Sequence, residues 1–157
     1  MPKTSKTPDK AGERRSLQPD GAWIPSIQPT SVFVPGRPVC QGSMRHLGKG
    51  RMTHDNVHLR AWRQAVGWAL RAARPGEPTA GDVTVKLHFM VQPRRQGDAP
   101  DLDKLCRAVL DALTGIVYLD DKQVVVIEAR RTLLGPDALP TAEGAHITLE
   151  TTPCPEP

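Results

Sequence analysis

The sequence predicts a single α+β domain in which two main helices pack on one mixed β-sheet. Two segments, 56–73 and 101–113, carry apolar residues at three- and four-residue spacing, the pattern of helices with one buried face. Two others, 83–91 and 145–150, alternate apolar and polar residues, which indicates half-buried strands. The 157 residues suffice for one hydrophobic core but not for two, so these elements are expected to share it.

The front of the predicted domain contains a strand, a basic loop and the first helix. Ser31 to Val34 is a short β-prone run. The segment 37–55 is polar and basic and contains glycine, so we interpret it as a loop or a short hairpin. The helix over 56–73 follows, with Asp55 or Asn56 as its predicted N-cap.

The middle of the domain alternates strands with the second helix. A strand over 83–91 leads through the loop 92–100 into the helix 101–113. Gly115 breaks this helix, and Ile116 to Leu119 is predicted to form a short strand.

The last predicted elements are extended. Asp120 and Asp121 are expected to form a turn, and the β-branched run 123–133 a strand. A loop over 136–144 then precedes the final strand, 145–150. The order of all these elements favours a mixed sheet with helices packed on it.

The two ends of the chain have the composition of unstructured segments. Residues 1–29 are expected to be a disordered arm and residues 151–157 a disordered tail, which leaves 30–150 as the folded domain. No apolar run is long enough to span a bilayer and no secretory signal is visible, so we expect a cytoplasmic protein without membrane association. The three cysteines show no disulfide or zinc spacing and are expected to be reduced thiols.

Charge is distributed unevenly along the chain. Between Arg37 and Arg95 there are eleven lysines and arginines and only three acidic residues. Between Asp98 and Glu128 the acidic residues outnumber the basic ones. On charge alone a solvated mixed surface is the simpler explanation. A basic half beside a carboxylate cluster also suits a protein that binds a polyanion and holds a divalent metal.

Helical phase separates two faces of the segment 101–113. Successive residues turn by about 100°, so the apolar residues fall on one arc that would face the sheet. Asp103, Arg107 and Asp111 lie on another arc at four-residue spacing, and Asp101 sits at the N-cap or in the first turn. Each of these positions also has an ordinary explanation as a helix cap, a first-turn acid or an i,i+4 ion pair.

A metal site is the functional alternative for these acids. The carboxylates of Asp101 and Asp103 can converge in front of the helix, and those of Asp120 and Asp121 would join them if the turn returns towards the helix start. Mg²⁺ prefers such oxygen ligands, and a bound Mg²⁺ neutralises a phosphodiester and activates water. Arg107 could then bind a phosphate oxygen. The alternative for Asp120 and Asp121 is that they are ordinary turn residues, since aspartate is common in turns.

The combined pattern is more specific than its parts. The segment 100–125, PDLDKLCRAVLDALTGIVYLDDKQVV, resembles the signature of the RusA family of Holliday junction resolvases of bacteria and their phages. The shared features are an Asp-Leu-Asp helix start, a basic residue one turn later, Leu-Asp-Ala-Leu and Asp-Asp-x-Gln-Val. The resemblance extends more loosely over 31–150.

The resemblance implies a RusA-like fold and an enzyme that resolves four-way DNA junctions in recombination and repair, of phage, prophage or chromosomal origin. Family members are homodimers that use Mg²⁺ or Mn²⁺ to nick two strands symmetrically, leaving 5′-phosphate ends. Carried over by position, Asp101, Asp103 and Asp121 are the metal-binding catalytic acids, and Asp120 is an adjacent metal ligand. The family's catalytic lysine corresponds to Arg107.

Basic residues in two loops and at the start of the acidic helix are expected to bind DNA. They are Arg45, Lys49, Arg51, Arg94, Arg95 and Lys104. For Arg94 and Arg95 an ordinary polar loop is an equal alternative. Lys104 replaces an asparagine of the family, and Arg107 keeps the charge of the family's lysine but not its capacity for proton transfer. These two departures motivate the alternative of a catalytically weak junction-binding protein of the same fold. A nuclease for other branched or flap DNA is a third interpretation.

Overall fold

The computed structural model describes residues 27–42, 57–95 and 97–151, together with the backbone of four short strands outside these ranges. Its strands and helices, in chain order, are β1 (Arg15–Leu17), β2 (Trp23–Pro25), β3 (Thr30–Pro35), β4 (Met44–His46), β5 (Met52–His54), α1 (Leu59–Ala73), β6 (Val83–Val91), α2 (Leu102–Leu113), β7 (Val124–Leu133) and β8 (Gly144–Thr151).

Four strands form the central sheet, in the order β3-β8-β6-β7. β8 runs antiparallel to both β3 and β6, whereas β6 and β7 are parallel. The alternating sequence of β6 gives this strand two different faces, because Val85, Leu87 and Phe89 are buried while Lys86 and His88 are only half-buried. The predicted α+β domain with one mixed sheet is confirmed.

Both helices cover the same face of this sheet. α1 packs on β3, α2 packs on β7, and the two helices contact each other. The arcs predicted to be apolar are the buried ones, as Val66 and Leu70 of α1 and Leu105 and Val109 of α2 are excluded from solvent. Because a loop joins the end of β6 to the start of α2, the helix begins at the carboxyl end of β6 and runs back along the sheet.

The predicted start of the first helix was wrong by three residues. α1 begins at Leu59, and its N-cap is His58. The predicted caps, Asp55 and Asn56, lie outside the described residues. His58 therefore takes the N-cap position that we assigned to an earlier side chain.

The short strand predicted at 116–119 was also wrong. This segment is a turn in which only Tyr118 makes isolated bridges, to Thr79 and Thr114. The Tyr118 side chain is fully buried and its hydroxyl donates a hydrogen bond to the Leu110 carbonyl at 2.8 Å. Local β propensity is thus overridden, because the apolar residues of the turn dock onto the end of α2 instead of pairing with a strand.

The segments before and within the basic region are only partly described. Ile27, a residue of the predicted N-terminal arm, is 2% exposed and belongs to the core, so the arm prediction is wrong at this position. β1 pairs with β2, and β4 with β5, both antiparallel. The second pair agrees with the hairpin alternative for 37–55. The tail from 152 lies outside the described residues. Neither described helix is long and apolar enough to cross a bilayer.

Candidate active site

The start of α2 presents two carboxylates to solvent. Asp101 is the N-cap and has extended backbone angles, φ −65° and ψ 129°, while Asp103 lies in the first turn. Both side chains are exposed. Two contacts hold this end in place: the Arg131 guanidinium donates to the Pro100 carbonyl, and the Gln41 amide donates to the Lys104 carbonyl at 3.1 Å. The helix start is therefore tied both to β7 and to the chain segment that follows β3.

Lys104 neutralises the first of these acids. Its ammonium nitrogen lies 2.5 Å from a carboxylate oxygen of Asp101, and both side chains are about half exposed. The hydrogen bond from Lys104 and its charge hold the pKa of the Asp101 carboxyl below its ordinary value. Asp101 is thus ionised and paired with a cation of its own helix.

A tight turn after α2 positions the second acidic pair. Gly115 has a φ of +77°, a left-handed conformation that favours glycine, and its amide donates to the Tyr118 carbonyl at 2.7 Å. Together with the buried Tyr118 ring, this turn fixes the direction in which the chain approaches Asp120.

Gln123 clamps the two acids in place. Its side-chain oxygen accepts from the amides of Leu119 and Asp120 at 2.9 and 3.0 Å, and its side-chain nitrogen donates to the carbonyls of Thr79 and Gly81 at 2.8 and 2.9 Å. One amide side chain thereby joins the acidic turn to the segment before β6. This is a structural reason for the glutamine of the Asp-Asp-x-Gln-Val pattern, and the sequence alone did not reveal it.

Asp120 and Asp121 have different surroundings. Asp120 is the N-cap of a short 3-10 helix, Asp121–Gln123, and its carboxylate accepts from the Lys122 amide at 2.9 Å. That backbone bond, and then the Asp121 side chain, lower the pKa of Asp120. Asp121 is exposed, and both acids line a shallow cavity of about 400 Å³ with Asp111 and Leu119.

The two acidic pairs lie at opposite ends of α2. Asp101 and Asp103 are at its start, whereas Asp120 and Asp121 share a cavity with Asp111 near its end. A helix of twelve residues is about 18 Å long. Within the described part of the chain, no three His, Cys, Asp or Glu side chains are grouped to hold a metal ion. The turn does not return to the helix start, because it leads directly into β7, which runs parallel to β6.

The arc of Asp103, Arg107 and Asp111 is divided in the structure. Arg107 is exposed one turn after Asp103. Asp111 instead forms an ion pair with Arg63 of α1, and the same guanidinium donates to the Gln41 side chain at 2.7 Å. Arg63 is a structural residue that sequence reasoning missed, since its partners lie far away in the chain.

The structure describes only some of the predicted DNA-binding side chains. Arg94 and Arg95 are exposed in the loop before α2. Arg94 lines a cavity of about 620 Å³ beside Arg37, whose guanidinium is anchored by the Gln92 carbonyl at 2.9 Å and the Glu143 carboxylate at 3.4 Å. The side chains of Arg45, Lys49 and Arg51 lie outside the described residues.

The donor atoms at both ends of α2 fit a hard divalent cation. Each end offers carboxylate oxygens that are exposed to solvent. Oxygen ligands of this kind are those that Mg²⁺ and Mn²⁺ prefer. Carboxylates of this kind can hold a metal ion, and guanidinium groups nearby can bind phosphate oxygens. Together these residue types can act on a phosphodiester.

Comparison with known proteins defines the family. The family model described as "Endodeoxyribonuclease RusA" matches residues 35–146, which is 112 of the 157 residues. The chain belongs to this family of endodeoxyribonucleases, as its sequence predicted. No curated protein matches the chain significantly.

Proposed function

We propose that the protein is a homodimeric, Mg²⁺-dependent endonuclease that resolves Holliday junctions by symmetric nicks in recombination and repair. The observation that carries the proposal is the position of the two carboxylate pairs. They are separated by the length of α2, and one pair lies near each end of β7. Asp121 lies three residues before β7, and Arg131 near its other end contacts Pro100, the neighbour of Asp101. Each end of β7 would therefore supply half of the proposed metal site.

A twofold dimer would complete both halves at once. β7 is an edge strand. If two copies pair their β7 strands antiparallel about a twofold axis, the start of one strand meets the end of the other. Asp120 and Asp121 of one copy then approach Asp101 and Asp103 of the second. The same operation produces two equivalent sites, which suits paired nicks in two strands.

The exposed side chains of β7 favour this surface. Val125, Val126 and Ile127 are 50%, 39% and 47% exposed, an unusual accumulation of β-branched residues in solvent. Ile127 is level with the buried Val85 of the neighbouring strand β6. This apolar part of an edge strand favours pairing with another strand.

The residues have distinct roles in the proposed site. Asp101 and Asp103 of one copy, with Asp120 and Asp121 of the other, would hold Mg²⁺, for which Mn²⁺ can substitute. The cation would neutralise the phosphodiester and lower the pKa of a bound water. Arg107, exposed one turn from Asp103, would bind a non-bridging oxygen of the scissile phosphate.

A nicking assay tests the proposal. The purified protein is incubated with a synthetic four-way junction, a flap and a duplex, with Mg²⁺, Mn²⁺ or EDTA. We expect metal-dependent paired nicks with 5′-phosphate ends in the junction, abolished by Asp103→Asn and unaffected by Glu77→Gln, a control at an exposed acid outside the site. Absence of metal-dependent cleavage, or full activity of Asp103→Asn, would rule it out. Preferential flap cleavage would instead indicate a nuclease for other branched or flap DNA.

The Lys104–Asp101 ion pair favours a second candidate function. A cation already bound to Asp101 competes with metal, as expected for a junction-binding protein with weak catalysis. Tight junction binding without cleavage across Mg²⁺ and Mn²⁺ concentrations would support this candidate. Efficient cleavage at millimolar Mg²⁺ would exclude it.

A further inference from the structure

The outer face of α1 carries an exposed aromatic ring between basic residues. Trp68 is 71% exposed, and Arg60, Gln64 and Arg71 on the same side of the helix are also exposed. The fifteen residues of α1 include three arginines and no acidic residue. Only Arg63 among these arginines is in a described ion pair, with Asp111. The outer face is therefore positively charged and offers one large ring to solvent.

Neither the core nor the proposed dimer covers this face. α1 packs on β3, which is at the opposite edge of the sheet from β7. Pairing through β7 therefore leaves Trp68 in solvent. A tryptophan so exposed contributes little to folding by burial, and its ring is available to a partner.

Contacts between the helices place Trp68 near the second acidic pair. Its neighbour Gly67 passes so close to the turn after α2 that a Cβ there would lie 2.9 Å from Ile116. One turn earlier, Arg63 binds Asp111, which shares a cavity with Asp120 and Asp121. DNA held at these acids would extend over the outer face of α1.

We propose that the outer face of α1 is a second DNA-contact surface, in which Trp68 stacks on a base exposed at the branch point and Arg60 and Arg71 bind flanking phosphates. The inference rests on the proposed function for its substrate. Arg60 and Arg71 are eleven residues apart, about 16 Å along the helix, which matches roughly five nucleotides of one strand. Charge complementarity favours DNA as the partner, because a helix face with arginines and no acidic residue attracts a polyanion.

A branch point also explains why the contact is aromatic. Inside a continuous duplex the base faces are stacked on each other, whereas a four-way junction exposes base faces at its centre. An indole ring can stack on such a face without regard to sequence. We therefore expect Trp68 to contribute to junction binding and not to duplex binding, and the arginines to contribute to both.

The test measures binding of the full-length homodimer to a synthetic four-way junction and to a duplex of equal length, in EDTA to prevent cleavage. We expect Trp68→Ala to weaken junction binding about fivefold or more, to leave duplex binding within twofold, and to lose most of the DNA-induced quenching of tryptophan fluorescence. Trp68→Phe should retain part of the affinity. Arg60→Gln and Arg71→Gln should each lower the salt dependence of binding by about one counterion.

Two matched controls lie elsewhere on the molecule. Leu139→Ala removes a loop side chain that is also 71% exposed, and Lys86→Gln removes a half-exposed ammonium of β6 from the helix-free side of the sheet, outside the edge strand β7. Both should bind DNA like the wild type. The inference is overturned if Trp68→Ala binds the junction within twofold of wild type, if it dissociates the dimer, or if Lys86→Gln weakens binding as much as Arg71→Gln.

The two proposals can fail separately. If the wild type cleaves junctions and Trp68→Ala binds them normally, only the inference about α1 is wrong. If the wild type does not cleave junctions and Trp68→Ala still weakens their binding selectively, the nuclease proposal is wrong and the DNA-contact surface remains.

Discussion

Lys104 sets the starting state of the proposed metal site. Its ammonium lies 2.5 Å from a carboxylate oxygen of Asp101, a proposed metal ligand, and the pKa of Asp101 is lowered by this partner. Replacing Lys104 with the asparagine typical of the family removes the competitor without removing a carboxylate. We expect Lys104→Asn to bind Mg²⁺ or Mn²⁺ about two- to fivefold more tightly in a calorimetric titration, since exposed ion pairs are weak.

A comparable ion pair provides the control for this prediction. Lys86 lies 2.9 Å from Glu150 on the helix-free face of the sheet, where no metal is expected. Lys86→Asn should leave metal affinity unchanged. Unchanged or weaker metal binding by Lys104→Asn would contradict the account of the ion pair.

Gln123 carries a prediction about both stability and activity. In Gln123→Glu the side chain still accepts from Leu119 and Asp120 but places a carboxylate against two carbonyl oxygens, those of Thr79 and Gly81. We expect the free energy of unfolding to fall by about 1–3 kcal/mol in urea denaturation. Junction cleavage should fall as well, because the clamp positions Asp120 and Asp121.

A substitution at Gln92 distinguishes the effect on stability from the effect on cleavage. Its side-chain nitrogen donates to the carbonyls of Gly135 and Pro136, at a turn that holds none of the proposed catalytic acids. Gln92→Glu should also reduce stability yet retain cleavage under folding conditions. If Gln123→Glu retained full cleavage while folded, the clamp would have no functional role.

Local sequence patterns predicted the positions of most helices and strands, and tertiary packing explains where these predictions failed. The segments 83–91 and 101–113 were predicted almost to the residue, because their periodicity matches the face that each element buries. The strand expected at 116–119 failed, because Tyr118 is held by a hydrogen bond to α2 instead of a ladder. Within each acidic pair the two residues were expected together and are found together, since a short separation in the chain fixes their proximity, but the two pairs do not meet.

The exposed edge of β7 can be tested with a charged substitution. Ile127→Lys would place a charge on the exposed edge, a change that opposes pairing with another strand. We expect light scattering to show a monomer with unchanged circular dichroism, and junction cleavage to be lost. Leu139→Lys, a change at a more exposed loop position, should leave the dimer and its activity intact. An active Ile127→Lys dimer would show that the interface lies elsewhere.

For the whole molecule, the sheet order explains why one chain does not hold a complete acidic cluster. Strand β8, the last in the chain, inserts between β3 and β6, and β7 is left at the edge, parallel to β6. Sequence periodicity does not determine such non-local pairing, so the return of the second acidic pair to the helix start was expected but is not found. Two copies joined at β7 would restore the expected cluster twice.

Mixed dimers show whether each active site combines residues of both copies. Asp103→Asn and Asp121→Asn chains with different tags are co-expressed, and the dimer that carries both tags is purified. If each site combines both copies, one site in this mixed dimer is intact, so we predict about half of the wild-type nicking rate, with single nicks in place of paired ones. A mixed dimer of Asp101→Asn and Asp103→Asn chains has no intact site and should be inactive. An Asp103→Asn/Asp121→Asn dimer as inactive as the two mutant homodimers would contradict the shared site.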